Sequence, residues 1–263
     1  MTTNQQTPVA STPLLSFRGV VAGYGGGDVL KGVDCEVYEG GVTCIVGPNG
    51  SGKSTLLKTV SGLLRPRLGE IYFRGTALVG LTPRAILNLG IVQVPQNHSL
   101  FKEMTVEENV EIGAFLVKDR RVVAERLQAI REMFPIVTER AKDKAGSLSG
   151  GQQRLVEFAR CLMLEPSLVV LDEPSMGLDP KTLRSMFATI KMMNEMGRTV
   201  LLVEQNARQG LKMSHHGVVL ENGIVRLSGT GEEVLTNPEI GALYLGGGVR
   251  GPVAPMNQKV DEL

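Results

Sequence analysis

Runs rich in β-branched and apolar residues alternate along the chain with stretches whose apolar residues recur at helical spacing. The strand-like runs are residues 42–46, 91–94, 168–171, 199–203, 217–220 and 224–227. Several are apolar on both faces, the pattern of strands covered by helices on each side of a mainly parallel sheet. Two helices are explicit. In the first, Leu155, Phe158, Ala159, Leu162 and Met163 share a face, and Pro166 follows the end. In the second, Asp179 can cap the N-terminus and Pro180 can take the first turn; Leu183, Met186, Phe187 and Ile190 form its apolar stripe, with Gly197 after the end. Residues 105–134 are helical in pattern and heavily charged, which predicts a helical insert in an α/β body. The ends differ from the rest. Residues 1–13 are rich in Thr, Gln, Ser and Pro, and residues 246–263 open with three glycines, so both are predicted to be tails around one domain over 14–245.

Composition narrows the class. With 263 residues, 42% hydrophobic and 21% charged, the chain can bury a sizeable core, which excludes disordered, collagenous and coiled-coil proteins. Lys plus Arg is 28 against 27 Asp plus Glu, and a net charge of +1 argues against a broad grip on nucleic acid or an anionic membrane. Aromatics at 4% with no Trp weigh against a base-stacking platform. Cys35, Cys44 and Cys161 lack metal-ligand spacing and read as small buried apolar residues in a reducing compartment. No stretch approaches the ~18 uninterrupted apolar residues of a membrane span. The first 13 residues lack the basic and apolar regions of a secretory signal, so a cytosolic location is expected.

The strongest chemical signal is Gly47-Pro48-Asn49-Gly50-Ser51-Gly52-Lys53-Ser54-Thr55, a phosphate-binding loop pattern placed after one strand-like run and before a helix starting near Lys53. The glycines let the backbone curl so that its N–H groups converge on phosphate oxygens, and the helix N-terminus adds a favourable partial charge. Lys53 is expected to reach the β and γ phosphates, and the Ser54 hydroxyl to ligate Mg2+. Further on, Leu168-Val169-Val170-Leu171-Asp172-Glu173-Pro174 delivers two adjacent carboxylates at the C-terminal end of an apolar strand, where ligands bind in open α/β sheets. Asp172 can hold the magnesium through water, and Glu173 is placed to polarise an attacking water as general base.

Just upstream stands Leu148-Ser149-Gly150-Gly151-Gln152-Gln153-Arg154, directly before a helix. These residues, and the order phosphate loop, signature, carboxylate strand, resemble the ATP-binding cassette family from about Leu15 to Gly246. The resemblance implies a P-loop NTPase core with a mainly parallel sheet flanked by helices, an antiparallel β subdomain and a helical subdomain at about 97–150. It also implies that Leu148, Ser149, Gly150, Gly151 and Gln152 close on the γ-phosphate held by another subunit, so that two cassettes sandwich two ATP molecules. Gln96 resembles the glutamine that touches magnesium and water and links core to insert. Tyr24 sits where the family places an aromatic stacked on adenine, although a surface position in a glycine-rich turn accounts for it equally well. Asp179 resembles a residue of the loop that communicates across the dimer, and it would double as a helix cap. One departure stands out: Gln205 occupies the place of a histidine that contacts the γ-phosphate in most of the family. Its amide can still donate a hydrogen bond but carries no charge. His98, His215 and His216 do not fit that place and read as surface residues.

Glu204-Gln205-Asn206-Ala207, Val219-Leu220-Glu221-Asn222-Gly223 and Tyr244-Leu245-Gly246 look like the shorter of two ATPase subunits of branched-chain amino acid importers. That implies a catalytic pair of Glu173 and Gln205, ATP and Mg2+ as cofactors, and a second cassette (a copy or a paralogue) as mate. It also implies transmembrane permease subunits docked on residues 97–144, indirectly a solute-binding protein, and a place on the inner face of the plasma membrane. A urea or short-amide importer is the nearest alternative cargo class, and a soluble non-transport cassette the more distant one. Single motifs and no sustained heptads favour transport.

Overall fold

The computed structural model describes residues 13–97 and 99–239. Apart from Pro13, the two predicted tails lie outside these residues, as do Tyr244-Leu245-Gly246 and His98. Two sheets organise the chain. Strands β1 (Pro13–Tyr24), β2 (Gly27–Tyr38), β4 (Leu68–Phe73) and β5 (Thr76–Ala77) form a four-stranded antiparallel sheet in the order β2-β1-β4-β5. The second sheet has the order β10-β9-β3-β8-β7-β6, from β3 (Val42–Val46), β6 (Ile91–Val94), β7 (Leu168–Asp172), β8 (Thr199–Glu204), β9 (His216–Glu221) and β10 (Ile224–Thr230). Its five neighbours from β9 to β6 are parallel; β10 is an antiparallel edge, joined to β9 by Asn222-Gly223 with both residues at positive φ, the geometry of a tight hairpin.

Strand alternation divides the core in two. Val169 and Leu171 of β7 pack to one side with Val42, Cys44, Val200 and Leu202. Leu168 and Val170 pack to the other with Ile45, Leu201 and Val203. The first side is covered by α6 (Gly150–Leu162), α7 (Pro180–Glu195), α8 (Ala207–Met213) and α9 (Gly231–Thr236). The second is covered by α1 (Lys53–Val60), α2 (Pro83–Asn88) and the antiparallel sheet. All three cysteines are buried, and burial pushes each thiol pKa up.

Between β6 and α6 lie α3 (Val106–Glu111), α4 (Arg120–Met133) and α5 (Pro135–Glu139). Thr105 and Glu108 form a capping box at the start of α3. Asn109, fully buried, accepts from Phe101 N and donates to Phe101 O and Thr105 O at 2.8–2.9 Å, which fixes the loop before the helix. A bridge between Thr105 and Lys144 closes the insert at its base.

His215 and His216 do not sit as surface residues. Residues 215 and 216 are both half-buried: His215 Nδ1 accepts from Val42 N at 3.0 Å, and the His216 ring meets Tyr38 edge-on with centroids 5.1 Å apart. They follow α8 as β9 begins, where the parallel sheet and the antiparallel sheet meet, and burial lowers both pKa values.

Candidate active site

The loop 47–52 connects β3 to α1, and its shape depends on glycine in two places. A side chain at Gly47 would overlap Leu220 O, and Gly52, the N-cap of α1, has φ +107°. Lys53, 4% exposed, folds back over the loop and donates to Gly47 O at 2.8 Å and Pro48 O at 3.1 Å. Its ammonium also lies 3.3 Å from Glu173 Oε1. Ser51 Oγ is buried and has no hydrogen-bond partner. Such an orphaned buried hydroxyl in the loop suits a site built to surround an anion.

The parallel register carries β7 to the same edge, so that Asp172 and Glu173 arrive beside the loop. Ser54 Oγ donates to Asp172 Oδ1 at 3.3 Å, and Gln96 Nε2 donates to Glu173 Oε2 at 2.9 Å. Burial and the neighbouring Glu173 raise the Asp172 pKa above its ordinary value, against the Ser54 hydroxyl and the Lys53 charge, which lower it. Glu173 itself has φ +44°, a left-handed conformation in a non-glycine residue. Gln205 is exposed and lines, with Asn49, Gly50, Gly52, Lys53, Ser54, Gln96 and Glu173, a cleft of about 350 Å3. Among the described residues no group of three His, Cys, Asp or Glu side chains is placed to hold a metal. One carboxylate and one hydroxyl side by side nevertheless fit magnesium, which takes its remaining ligands from phosphate and water rather than from an all-protein cage.

Two sets of residues stay apart from this cleft. Tyr24, 51% exposed at the end of β1, has Lys58 Nζ 5.3 Å from its ring centroid, so one ring face already carries a cation. Leu148–Gln152 does not line the cleft. There Leu148 is buried, while Ser149 and Gly150 are exposed at the start of α6. Ser149 caps α6, accepting from Gln152 N at 3.4 Å while its own N–H donates to Gln152 Oε1 at 3.0 Å. A side chain at Gly151 would overlap Thr182, whose hydroxyl donates to Asp179 Oδ2. The exposed Asp179, which caps α7 through Lys181 N and Thr182 N, therefore stands next to the exposed start of α6.

Sequence reasoning missed one side of α6. Arg154 and Glu157 are buried and paired at 2.9 Å. Arg154 donates to Pro95 O at 2.8 Å and Gln96 O at 2.7 Å, Glu157 accepts from Ser99 N, and Arg160 donates to Ser99 O at 2.9 Å. Their i, i+3, i+6 spacing on a helix whose apolar stripe is already assigned was the available signal. The helix beginning at Ser149 thus holds the segment carrying Gln96.

A family model described as ABC transporter matches residues 30–176. Over 234 residues the chain is 41% identical to the high-affinity branched-chain amino acid transport ATP-binding protein BraG of Pseudomonas aeruginosa, covering 89% of this chain and 100% of that protein. It resembles the crystal structure of the ADP conformation of an ATP-binding cassette of an ABC transporter, with a TM-score of 0.81 and 32% identity over 90% of this chain and 100% of that one. A dimeric post-hydrolysis cassette bound to ADP and Pi superposes with a TM-score of 0.73 and 28% identity over 85% and 99% of the two chains.

Proposed function

This chain belongs to the ABC transporter family, and from that membership we propose that it is the ATP-hydrolysing subunit of an importer for branched-chain amino acids, driving a separate membrane-embedded permease. The observation that carries the hydrolytic part is the meeting of Lys53 Nζ and Gln96 Nε2 on the Glu173 carboxylate, at 3.3 and 2.9 Å, beside the phosphate loop. Arriving phosphate oxygens compete with Glu173 for the Lys53 ammonium and with the Gly47 and Pro48 carbonyls for its other protons. Glu173, so released, accepts the proton of a water attacking the γ-phosphate, and Gln96 holds that carboxylate in place. Ser54 and Asp172, with Gln96 beside them, would hold magnesium, which when bound offsets the charge of the β and γ phosphates. Gln205 donates to a γ-phosphate oxygen from the rim, and Tyr24 offers its free ring face to adenine.

Ser149 and Gly150 are exposed, not occupied by their own chain's cleft, and stand beside Asp179; this supports a head-to-tail pair in which Leu148–Gln152 covers the nucleotide of the mate. Whether the mate is a copy or a paralogue, each half-site is completed only by the other. A separate apolar cleft of about 380 Å3 runs between β6, the insert and α6, rimmed by the exposed side chains of Phe101, Ile112 and Phe115. Among the described residues no helix is long and apolar enough to cross a membrane. In this reading the permease brings the membrane part, the rim suits a short segment of it, and the chain works at the cytoplasmic face of the membrane with a solute-binding protein acting from the other side. Phe115→Asp is expected to abolish copurification with the permease while leaving the thermal midpoint of the isolated subunit unchanged; retained copurification would remove the rim from the docking surface.

The name of the BraG relative supports the cargo. Vesicles reconstituted with this subunit, its mate, the permease and the binding protein are expected to accumulate leucine on ATP addition and not urea. Urea uptake without leucine uptake would transfer the assignment to the short-amide class.

A further inference from the structure

The chain turns sharply at Glu173, and the turn is held from two sides. On one side the Glu173 N–H donates to Val203 O of β8 at 2.9 Å. On the other, Met176 N donates to Glu173 O at 3.2 Å, closing a turn with Pro174 in its second place and Ser175 in its third. A Ser175 N–H in that place is not used by the turn itself. It donates instead to Glu204 Oε1 at 3.2 Å, and the Ser175 hydroxyl donates to Glu204 Oε2 at 2.6 Å. Both carboxylate oxygens thus accept from one residue, two positions beyond Glu173, and the Asn206 backbone adds a further hydrogen bond to the same carboxylate.

Glu204 ends β8 in the interior of the parallel sheet and is fully buried. A carboxylate there is costly to bury, and an apolar residue of similar volume would serve packing as well or better. Burial pushes its pKa up to about 7 and the nearby Glu173 acts in the same direction, against the Ser175 hydrogen bonds, which lower it. A left-handed non-glycine conformation persists only where surrounding contacts over-determine it. Lys53 and Gln96 hold the Glu173 side chain, and the Glu204–Ser175 pair holds the backbone of the turn that follows it.

We propose that Glu204 is a positioning residue for hydrolysis: it clamps Ser175 through two hydrogen bonds, so holding the left-handed turn that aims the Glu173 carboxylate into the cleft, and it ties that turn to Gln205, the next residue along the chain. The proposal rests on Glu173 being the general base.

The test is steady-state ATPase and nucleotide titration on the full chain. Displacing a reacting group by about 1 Å costs on the order of a hundredfold. Glu204→Met, which keeps volume and removes both acceptors, is expected to lower kcat ten- to a hundredfold with the ATP KM and dissociation constant within about twofold of wild type. Ser175→Ala is expected to lower kcat in the same sense, and Ser175→Thr, which retains the hydroxyl, to restore most of it. In a Glu173→Gln background Glu204→Met is expected to cause no further loss, since nothing remains to aim. Wild-type kcat in Glu204→Met, a loss confined to KM, or Ser175→Thr as slow as Ser175→Ala would each overturn the clamp. Those results leave Glu173 untouched if Glu173→Gln alone is inactive; turnover in Glu173→Gln itself would instead remove the premise.

Discussion

Glu173→Gln is expected to bind ATP as well as the native chain, or better, while losing about 10²–10⁴ in turnover. The substitution is nearly isosteric, so the contacts of the turn with Val203 and Met176, which are backbone bonds, survive it. Its amide oxygen can still accept from Gln96 Nε2. What disappears is the base, about 3–5.5 kcal/mol of transition-state stabilisation at 1.36 kcal/mol per tenfold. A second effect works in favour of binding. Glu173 is one of the two causes that raise the Asp172 pKa, so its neutralisation favours the ionised Asp172 that a magnesium-bound nucleotide requires. ATP should therefore accumulate uncleaved, and the two-cassette sandwich should persist long enough to isolate by size-exclusion chromatography with light scattering. Near-native turnover in this variant would end the assignment of Glu173 as base.

What could be read in the residues follows the range of the interactions involved. The phosphate loop and the Asp172-Glu173 strand end are local patterns whose geometry is set by a few consecutive residues, and the parallel strands announce themselves because β3, β7 and β8 are buried on both faces. The antiparallel sheet is announced only in part. In β2, buried Val33, Cys35 and Val37 alternate with exposed Asp34 and Glu36, a period-2 signal that the sequence reading passed over, and elsewhere the register shifts between β1 and β2 interrupt the pattern. Edge strand β10, half-exposed, was recognised only as a short apolar run that falls short of its full length. The charged residues of α6 illustrate the opposite failure. Arg154, Glu157 and Arg160 look like a solvated face; their spacing marks one side of the helix, but the partners they grip, Pro95, Gln96 and Ser99, emerge only from the fold. Glu204 was visible as part of a subunit-specific run, yet its role depends on Ser175, 29 positions away, and on a turn no local pattern encodes.

Lys53→Ala is expected to strike an earlier step, weakening ATP binding itself and abolishing turnover as a consequence. The ammonium lies 2.8, 3.1 and 3.3 Å from Gly47 O, Pro48 O and Glu173 Oε1, and the Lys53 and Glu173 side chains are only 4% and 9% exposed. Each charge-assisted hydrogen bond it makes to phosphate is worth about 1.5–3 kcal/mol, so losing it should raise the dissociation constant at least about tenfold, and more where two phosphate oxygens are involved. The remaining site turns against the ligand as well. Lys53 is one of the charges that lower the Asp172 pKa; without it, two adjacent buried carboxylates face an incoming polyanion with one cation fewer. Breaking a buried pair by deleting one partner typically costs about 3–5 kcal/mol, so the nucleotide-free variant should also melt earlier than the native chain. Lys53→Arg should not restore binding, because a planar guanidinium cannot take the place of a point charge folded back onto the loop. Calorimetric titration separates the two substitutions: Glu173→Gln with native affinity and no turnover, Lys53→Ala with neither. Unchanged affinity in Lys53→Ala would mean that the loop's backbone amides alone hold the phosphates and that the lysine serves only to hold Glu173.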